Sequence, residues 1–148
     1  MHVRALMTSE PLTVGPDTPV IEARRMMSER RIRHLLVTDG GRLAGIVTDR
    51  DIRLNLPSPA TSLSVGEMNY LLARLTVASV MTGSVITVGP ERDAAEAARI
   101  MLDHKIGALP VVDAGKVVGI ITEADILRAF TAMAGSGEAR PVLTLRVS

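Results

Sequence analysis

The chain has 148 residues, of which 47% are hydrophobic and only 1% aromatic, and its formal net charge at pH 7 is +1. One tyrosine and one phenylalanine are too few to form a platform on which single-stranded nucleic acid could stack, and the balanced charge gives no general attraction for nucleic acid or an anionic membrane surface. Because cysteine is absent, disulfides, thiolate metal sites and a cysteine nucleophile are excluded.

The first predicted elements are a short strand, a helix and a hairpin. An apolar stretch at Leu12–Val14 ends in Gly-Pro, which is typical of a strand. Thr18 and Pro19 mark a helix start with proline at the first helical position, and apolar residues follow at positions 20, 23, 26 and 27. Two apolar runs around Asp39-Gly40-Gly41 predict a hairpin over 35–47. A further helix is predicted to begin at Thr48.

A linker is predicted for residues 55–76. Pro57-Ser58-Pro59 favours a loop, because proline disfavours helix in the residue before it. Ser64 followed by Glu67 predicts a capping box at the start of a short helix that runs to about Arg74.

Residues 77–134 repeat the plan of residues 1–54. The stretch 3–54 aligns without a gap on 77–128 at an offset of 74, with 21 identities in 52 positions. The second copy therefore predicts a strand at 85–88, a helix from 94, a hairpin over 109–121 and a helix from Thr122. Each copy is a β-α-β-β-α unit, and the predicted fold class is α+β.

A tail at residues 135–148 completes the chain. Gly135-Ser136-Gly137 predicts a flexible joint, and residues 141–147 alternate as in a strand. Since a lone strand is not stable by itself, we expect this one either to pair elsewhere, as the first strand of a further domain, or to stay loose.

The sequence resembles a tandem pair of CBS domains, the arrangement called a Bateman module. The motifs that match are Met7-Thr8 and Met81-Thr82, the run Ile106–Asp113, and Gly45–Ile52 with its twin Gly119–Ile126. The resemblance implies two units related by a pseudo-twofold axis in one compact module. It also implies a regulatory or sensor protein that forms a homodimer of pairs and binds an adenosine-containing ligand between its repeats, with no required cofactor.

Two Thr-x-x-Asp pairs, Thr48 with Asp51 and Thr122 with Asp125, are candidate ligand residues. Each pair also fits a capping box, which satisfies backbone donors and needs no ligand. The resemblance implies that the aspartate accepts hydrogen bonds from ribose hydroxyls, and an ionised carboxylate is suited to this because it only accepts.

The two copies differ just before the second strand. The first copy has Arg33-His34 where the second has Gly107-Ala108. The resemblance implies that basic residues at this point hold phosphates, and the planar fork of arginine fits phosphate oxygens. The alternative is a solvated basic helix end. We expect the first copy to supply the site if only one cleft binds.

Other candidate residues are the strand positions Thr13, Leu35, Thr87, Ala108, Leu109 and Pro110, and Arg53 beside Asp51. The resemblance implies that the apolar members flank adenine, whereas ordinary strand packing is the alternative for Leu35 and Leu109. Arg53 lies where it could reach a polyphosphate.

The resulting hypothesis is a non-catalytic cytoplasmic sensor of AMP, ADP or ATP. A ligand-free interaction scaffold and a module for S-adenosylmethionine or NAD(H) are the alternatives. No common catalytic motif occurs, so we expect neither catalytic nor metal-ligating residues. DNA binding is disfavoured because Glu22 and Glu29 dilute the arginines of the first helix. The sequence names no regulated protein partner.

Overall fold

The structure is a computed structural model that describes residues 1–57, 62–135, 137 and 141–147. The described residues form short helices and two small sheets, so the α+β class and the two similar units are confirmed. The helices are α1 (Val3–Leu6), α2 (Val20–Arg30), α3 (Asp49–Asn55), α4 (Val65–Arg74), α5 (Val77–Val80), α6 (Ala94–His104) and α7 (Glu123–Met133). The strands are β1 (Thr8–Ser9), β2 (Thr13–Val14), β3 (His34–Asp39), β4 (Arg42–Thr48), β5 (Ala108–Asp113) and β6 (Lys116–Thr122).

Both predicted hairpins form, and they match each other in detail. β3 pairs antiparallel with β4 and β5 with β6, and each pairing shifts register at the equivalent point, after Val37 and after Val111. Each turn has two central residues with positive φ, Gly40 and Gly41 in the first and Ala114 and Gly115 in the second. Turns of this kind match the twist of the strands that they join.

Helices α2 and α6 also begin and end at equivalent positions of the two repeats. α2 begins at Val20, so Pro19 is the N-cap residue and not the first helical residue as the sequence predicted. Its ψ of 139° is extended, and its carbonyl accepts from the backbone N–H groups of Glu22 and Ala23. α2 and α6 end at Arg31 and Lys105, both in the left-handed conformation with φ of 54°.

The opening segment of each repeat packs into the other repeat. Val3 is fully buried in the core formed by β5, β6 and α6, whereas Val77 and Val80 are buried in the core of the first repeat. The backbone N–H of Val3 donates to the backbone carbonyl of Arg92 over 2.8 Å, and that of Val77 donates to the backbone carbonyl of Thr18 over 2.8 Å. The repeats of the sequence are therefore not the packing units of the fold.

The sheets are ordered β1-β6-β5 and β2-β3-β4. β1 belongs to the first repeat in sequence but pairs antiparallel with β6 of the second repeat. The exchange of opening segments is therefore also present at the edge of this sheet. A third apolar cluster joins the two sheets and contains Leu36, Ala108 and Ile120. The two repeats thus share one apolar interface, which fixes their relative position.

Two strand predictions do not match the structure. The stretch 85–88 forms no strand in the described chain and makes only a single bridge, between Val88 and Val111 of β5. Residues 141–147 are exposed and form neither helix nor strand, since no described strand lies beside them. Ser58, Pro59 and Ser136, on which the loop and joint predictions partly fall, lie outside the described residues. Among the helices that the structure describes, none is long and apolar enough to cross a membrane.

Candidate functional site

A cleft of about 990 Å³ lies where the two repeats meet. Its first wall is the chain around β2 and the C-terminal end of α2, and its second wall is the end of β6 with the start of α7. The lining residues are 8, 10–13 and 30–34 from the first repeat, and 107, 120, 122–125 and 128 from the second. The cleft therefore draws on both repeats, as the sequence predicted.

Thr122 and Asp125 form a capping box at the start of α7. One carboxylate oxygen of Asp125 accepts from the backbone N–H of Thr122 over 2.8 Å and from its hydroxyl over 3.1 Å. The Thr122 hydroxyl accepts in turn from the Asp125 backbone N–H over 3.4 Å. The capping predicted from the sequence is confirmed, and it fixes a carboxylate that is only 7% exposed at the edge of the cleft.

The other carboxylate oxygen of Asp125 accepts from Arg128, over a distance of 2.7 Å. Arg128 lies one helical turn after Asp125, and its side chain is 72% exposed. The first repeat has the same box, with Asp51 accepting from the Thr48 backbone N–H over 2.9 Å. Its position 54 is a leucine, however, so within the described chain no guanidinium pairs with Asp51.

Arg33 and His34 enter the cleft at the start of β3. The Arg33 carbonyl accepts from the Asp49 backbone N–H over 3.0 Å, which ties this point to the start of α3. His34 lies against Gly107, where a Cβ would stand only 3.5 Å from the Nε2 atom of the imidazole. This distance is an ordinary van der Waals contact, so His34 and Gly107 are neighbours, and the two differing positions of the repeats face each other across the cleft.

The pKa of His34 lies below its ordinary value. Burial lowers the pKa most, because it disfavours the charged imidazolium. The Glu123 carboxylate raises it, the Arg33 guanidinium lowers it, and the Asp51 carboxylate raises it by a smaller amount. His34 is therefore a neutral imidazole at pH 7, able both to donate and to accept a hydrogen bond.

The charged groups that line the cleft include one more cation than anion. Four guanidinium groups, those of Arg30, Arg31, Arg33 and Arg128, accompany the carboxylates of Glu10, Glu123 and Asp125. Glu10 and Arg31 both have positive φ, at 49° and 54°. The φ of Arg31 is the same left-handed helix-end conformation as at Lys105, whereas Glu10 lies outside any helix end and its conformation is uncommon for a residue other than glycine. In the described residues no group of acidic and histidine side chains could hold a metal ion.

Five of the residues proposed from sequence come together in this cleft: Thr13, Arg33, His34, Thr122 and Asp125. The expected association of Arg33 and His34 with the first-copy aspartate is different in the structure. Neither Thr48 nor Asp51 lines this cleft, because the α2 end of one repeat faces the capping box of the other.

The other proposed residues lie outside the cleft lining. Leu35, Leu109 and Pro110 are fully buried and Ala108 is nearly so, which agrees with the alternative of ordinary strand packing. Thr87 is exposed, and Arg53 pairs with Asp49 over 3.1 Å. The apolar surface that does line the cleft comes from Pro11, Leu12, Ile32 and Ile120.

Sequence reasoning missed Glu10, Glu123 and Arg128. A signal for Arg128 was present, because the spacing of three residues from Asp125 places both on one helix face. Comparison with Leu54 at the equivalent position would have marked the difference between the repeats. Glu10 and Glu123 gave no such signal, since both reach the cleft through contacts between repeats.

The comparisons with known proteins agree with this architecture. A family model described as the CBS domain matches residues 3–58 and 77–132. Inosine-5′-monophosphate dehydrogenase of Korarchaeum cryptofilum is 40% identical over 126 residues, which is 84% of this chain but only 23% of that protein. The chain thus spans less than a quarter of the length of that relative.

Two solved structures resemble the chain along almost their whole length. CBSX2, solved in complex with AMP, is 30% identical with a TM-score of 0.74, covering 90% of this chain and 98% of that one. The CBS domain pair of protein MJ0100, solved with 5′-methylthioadenosine and S-adenosyl-L-methionine, is 29% identical with a TM-score of 0.72, covering 88% and 95%. Both neighbours were solved with adenosine-containing molecules.

Proposed function

The chain belongs to the CBS-domain family as a tandem pair, and from this premise we propose that it is a non-catalytic regulatory module for an adenosine-containing ligand. The observation that carries the proposal is the buried carboxylate of Asp125 at the edge of a cleft that also contains Arg33 and Arg128. A carboxylate that only accepts fits ribose hydroxyls, and guanidinium groups fit phosphate oxygens.

Each part of such a ligand has a counterpart in the cleft. Asp125 accepts from the ribose, and Arg33 with its neighbours binds the phosphates. Leu12, Ile32 and Ile120 give aliphatic surface for the adenine ring, so no aromatic residue is needed. Neutral His34 adds a hydrogen-bonding group without adding charge. The four guanidinium groups favour AMP, ADP or ATP over cationic S-adenosylmethionine.

Regulation follows if the ligand changes how the two repeats are arranged. A ligand shifts such an equilibrium only by binding one arrangement more tightly than the other. A site whose walls come from different repeats meets this condition, because movement of one repeat changes the distances between Arg33 and Asp125. The regulated partner would then sense the altered module surface.

We also propose a homodimer of modules. The second repeat exposes Leu127, Phe130 and Met133 along α7, beside a shallow groove of about 320 Å³. A self-complementary two-fold contact is the commonest form of oligomer, and this apolar helix face supplies a surface for one. Light scattering after size-exclusion chromatography should give a dimer for the parent and a monomer for Phe130→Glu. A monomeric parent would contradict the dimer without affecting ligand binding.

The direct test is thermal unfolding with AMP, ADP, ATP, NAD(H) and S-adenosylmethionine. At a ligand concentration of about 100 times Kd, the stabilisation should be about 2.7 kcal/mol. This corresponds to a rise in Tm of several degrees, at about 2–4 °C per kcal/mol. Asp125→Asn should abolish the shift, while the matched Asp51→Asn, made in the other capping box, should leave it unchanged.

Three outcomes would contradict the proposal in different ways. If no compound raises the Tm, the ligand-free scaffold is the better description. A shift with S-adenosylmethionine alone would leave the adenosine class standing and overturn the preference for nucleotides. If Asp51→Asn abolishes the shift and Asp125→Asn does not, the ligand occupies the equivalent region of the first copy.

A further inference from the structure

We propose that Arg128 makes the cleft select phosphorylated over unphosphorylated nucleosides, an inference that rests on the proposed function. Arg128 donates to one oxygen of the Asp125 carboxylate over 2.7 Å. It is also a lining residue of the cleft, together with Arg33. The same guanidinium therefore serves two anions in turn, the aspartate before binding and a phosphate after it.

The hydrogen-bonding capacity of Asp125 forces this exchange. A carboxylate has about four acceptor sites. Three are occupied, two by the backbone N–H and hydroxyl of Thr122 and one by Arg128. A ribose brings two neighbouring hydroxyl donors, so one existing donor must leave before both hydroxyls are accepted.

Arg128 is the donor that leaves. The bond from the Thr122 backbone N–H belongs to the capping box that holds the first turn of α7, and the Thr122 hydroxyl donates to that same carboxylate oxygen, not to the one that Arg128 occupies. The Arg128 side chain is 72% exposed and reaches Asp125 from the next turn, so it can swing away without disturbing the backbone. Once released, it is a free cation at the wall of the cleft.

The released cation produces the selectivity. A nucleoside without phosphate separates the ion pair between Arg128 and Asp125 and gives the guanidinium no new partner. A nucleotide separates the same pair but supplies phosphate oxygens, to which arginine binds strongly. Ribose recognition and phosphate recognition are thereby coupled through one side chain.

This coupling is particular to the second capping box. At the equivalent position of the first repeat stands Leu54, which is 72% exposed and has no charge. Arg53, its neighbour, pairs with Asp49 and leaves the Asp51 carboxylate untouched. A ligand at Asp51 would therefore meet no such exchange.

The test is calorimetric titration of adenosine and AMP into the full chain, its Arg128→Ala variant and its Arg33→Ala variant. Arg128→Ala should weaken the binding of AMP and leave the binding of adenosine unchanged or tighter. The ratio of the adenosine Kd to the AMP Kd should therefore fall about tenfold, which corresponds to the loss of a hydrogen bond to a charged group. Arg33→Ala should weaken AMP without tightening adenosine. Arg53→Ala, also an exposed arginine in an ion pair, should change neither ligand.

The possible failures are distinguishable. If Arg128→Ala weakens adenosine and AMP equally, or changes neither, Arg128 does not select and the inference is overturned while the proposed function stands. If the parent chain binds no adenosine compound, the proposed function and this inference fall together. Unchanged Tm of the ligand-free variants excludes loss of folding as the cause.

Discussion

Gly119 lies directly beneath Met7, although the two residues are in different repeats. A Cβ built on Gly119 would stand 2.5 Å from the Met7 sulfur and 2.9 Å from the Thr8 carbonyl oxygen. Gly45 has the same relation to Met81, with 2.7 Å to its sulfur. The Met-Thr motif of each repeat therefore contacts the glycine motif of the other repeat, and the chain contains this contact twice.

Gly119→Ala should destabilise the chain by about 1–3 kcal/mol, because the added methyl group overpacks a contact that includes backbone. Equilibrium unfolding in urea should show a lower midpoint with an unchanged slope. Gly66→Ala is the matched control, since nothing lies within 4 Å of a Cβ there. Gly66 is inside α4, where alanine should stabilise the helix by up to about 1 kcal/mol. Equal stability of the Gly119 variant and the parent would contradict the close approach.

Val3→Ala should destabilise the second repeat, although Val3 belongs to the first repeat in sequence. The side chain is fully buried among residues of β5, β6 and α6, and its loss should cost about 2 kcal/mol. Hydrogen exchange should show lost protection in β5 and β6 before β3 and β4. Val65→Ala, at a valine that is 76% exposed, is the control and should have no measurable effect. Loss of protection confined to the first sheet would contradict the exchanged packing.

Thr48→Ala should separate capping from binding. Removal of the hydroxyl that accepts from the Asp51 backbone N–H over 3.0 Å should cost about 1 kcal/mol of stability. AMP affinity should stay unchanged, because Thr48 does not line the cleft. Thr122→Ala should cost a similar stability and also weaken AMP, since it disturbs the Asp125 carboxylate. Equal loss of affinity in both variants would show that the two boxes contribute alike.

His34 should make the chain less stable as the pH falls below its ordinary pKa of about 6.5. Because burial lowers the pKa of His34 in the folded chain, the unfolded chain takes up this proton first. Stability from this group is therefore complete above pH 6.5 and is lost as the pH falls toward the lowered folded value. The residues that set this value are Glu123, Arg33 and Asp51.

The measurement is the free energy of unfolding between pH 7.5 and pH 5 for the parent and His34→Gln. The parent should lose more stability than the variant over this range. His104→Gln, at an exposed histidine at the end of α6, should follow the parent. Identical curves for the parent and His34→Gln would contradict a lowered pKa.

Local signals in the sequence were enough for the hairpins and the capping boxes. The turns depend on Gly40-Gly41 and Ala114-Gly115, and the boxes at Thr48 and Thr122 each depend on two residues three positions apart, so one short window contains all the information. The helix face of α6 was likewise predicted from residue spacing, and Ala94, Ala97 and Met101 are buried as expected. The family resemblance is confirmed by the match of its model to both repeats.

Contacts between the repeats could not be predicted in this way. β1 has two residues and pairs with β6 more than a hundred positions later, and no periodicity marks so short a strand. The place of Arg33 opposite Asp125 has the same origin, because an alignment of repeats finds equivalent positions and not facing ones. Gly107 illustrates this limit, since its contact with His34 joins the two repeats and an alignment of the repeats does not show it.

The exchanged opening segments also govern when the chain can fold during synthesis. The first repeat lacks part of its core until Val77 and Val80 have left the ribosome, and Val3 waits still longer for β5 and β6. Neither core closes while only half of the chain exists, so the usual order of an N-terminal unit folding first does not apply. A messenger truncated after the first repeat would therefore yield an open half, exposed to proteases and chaperones.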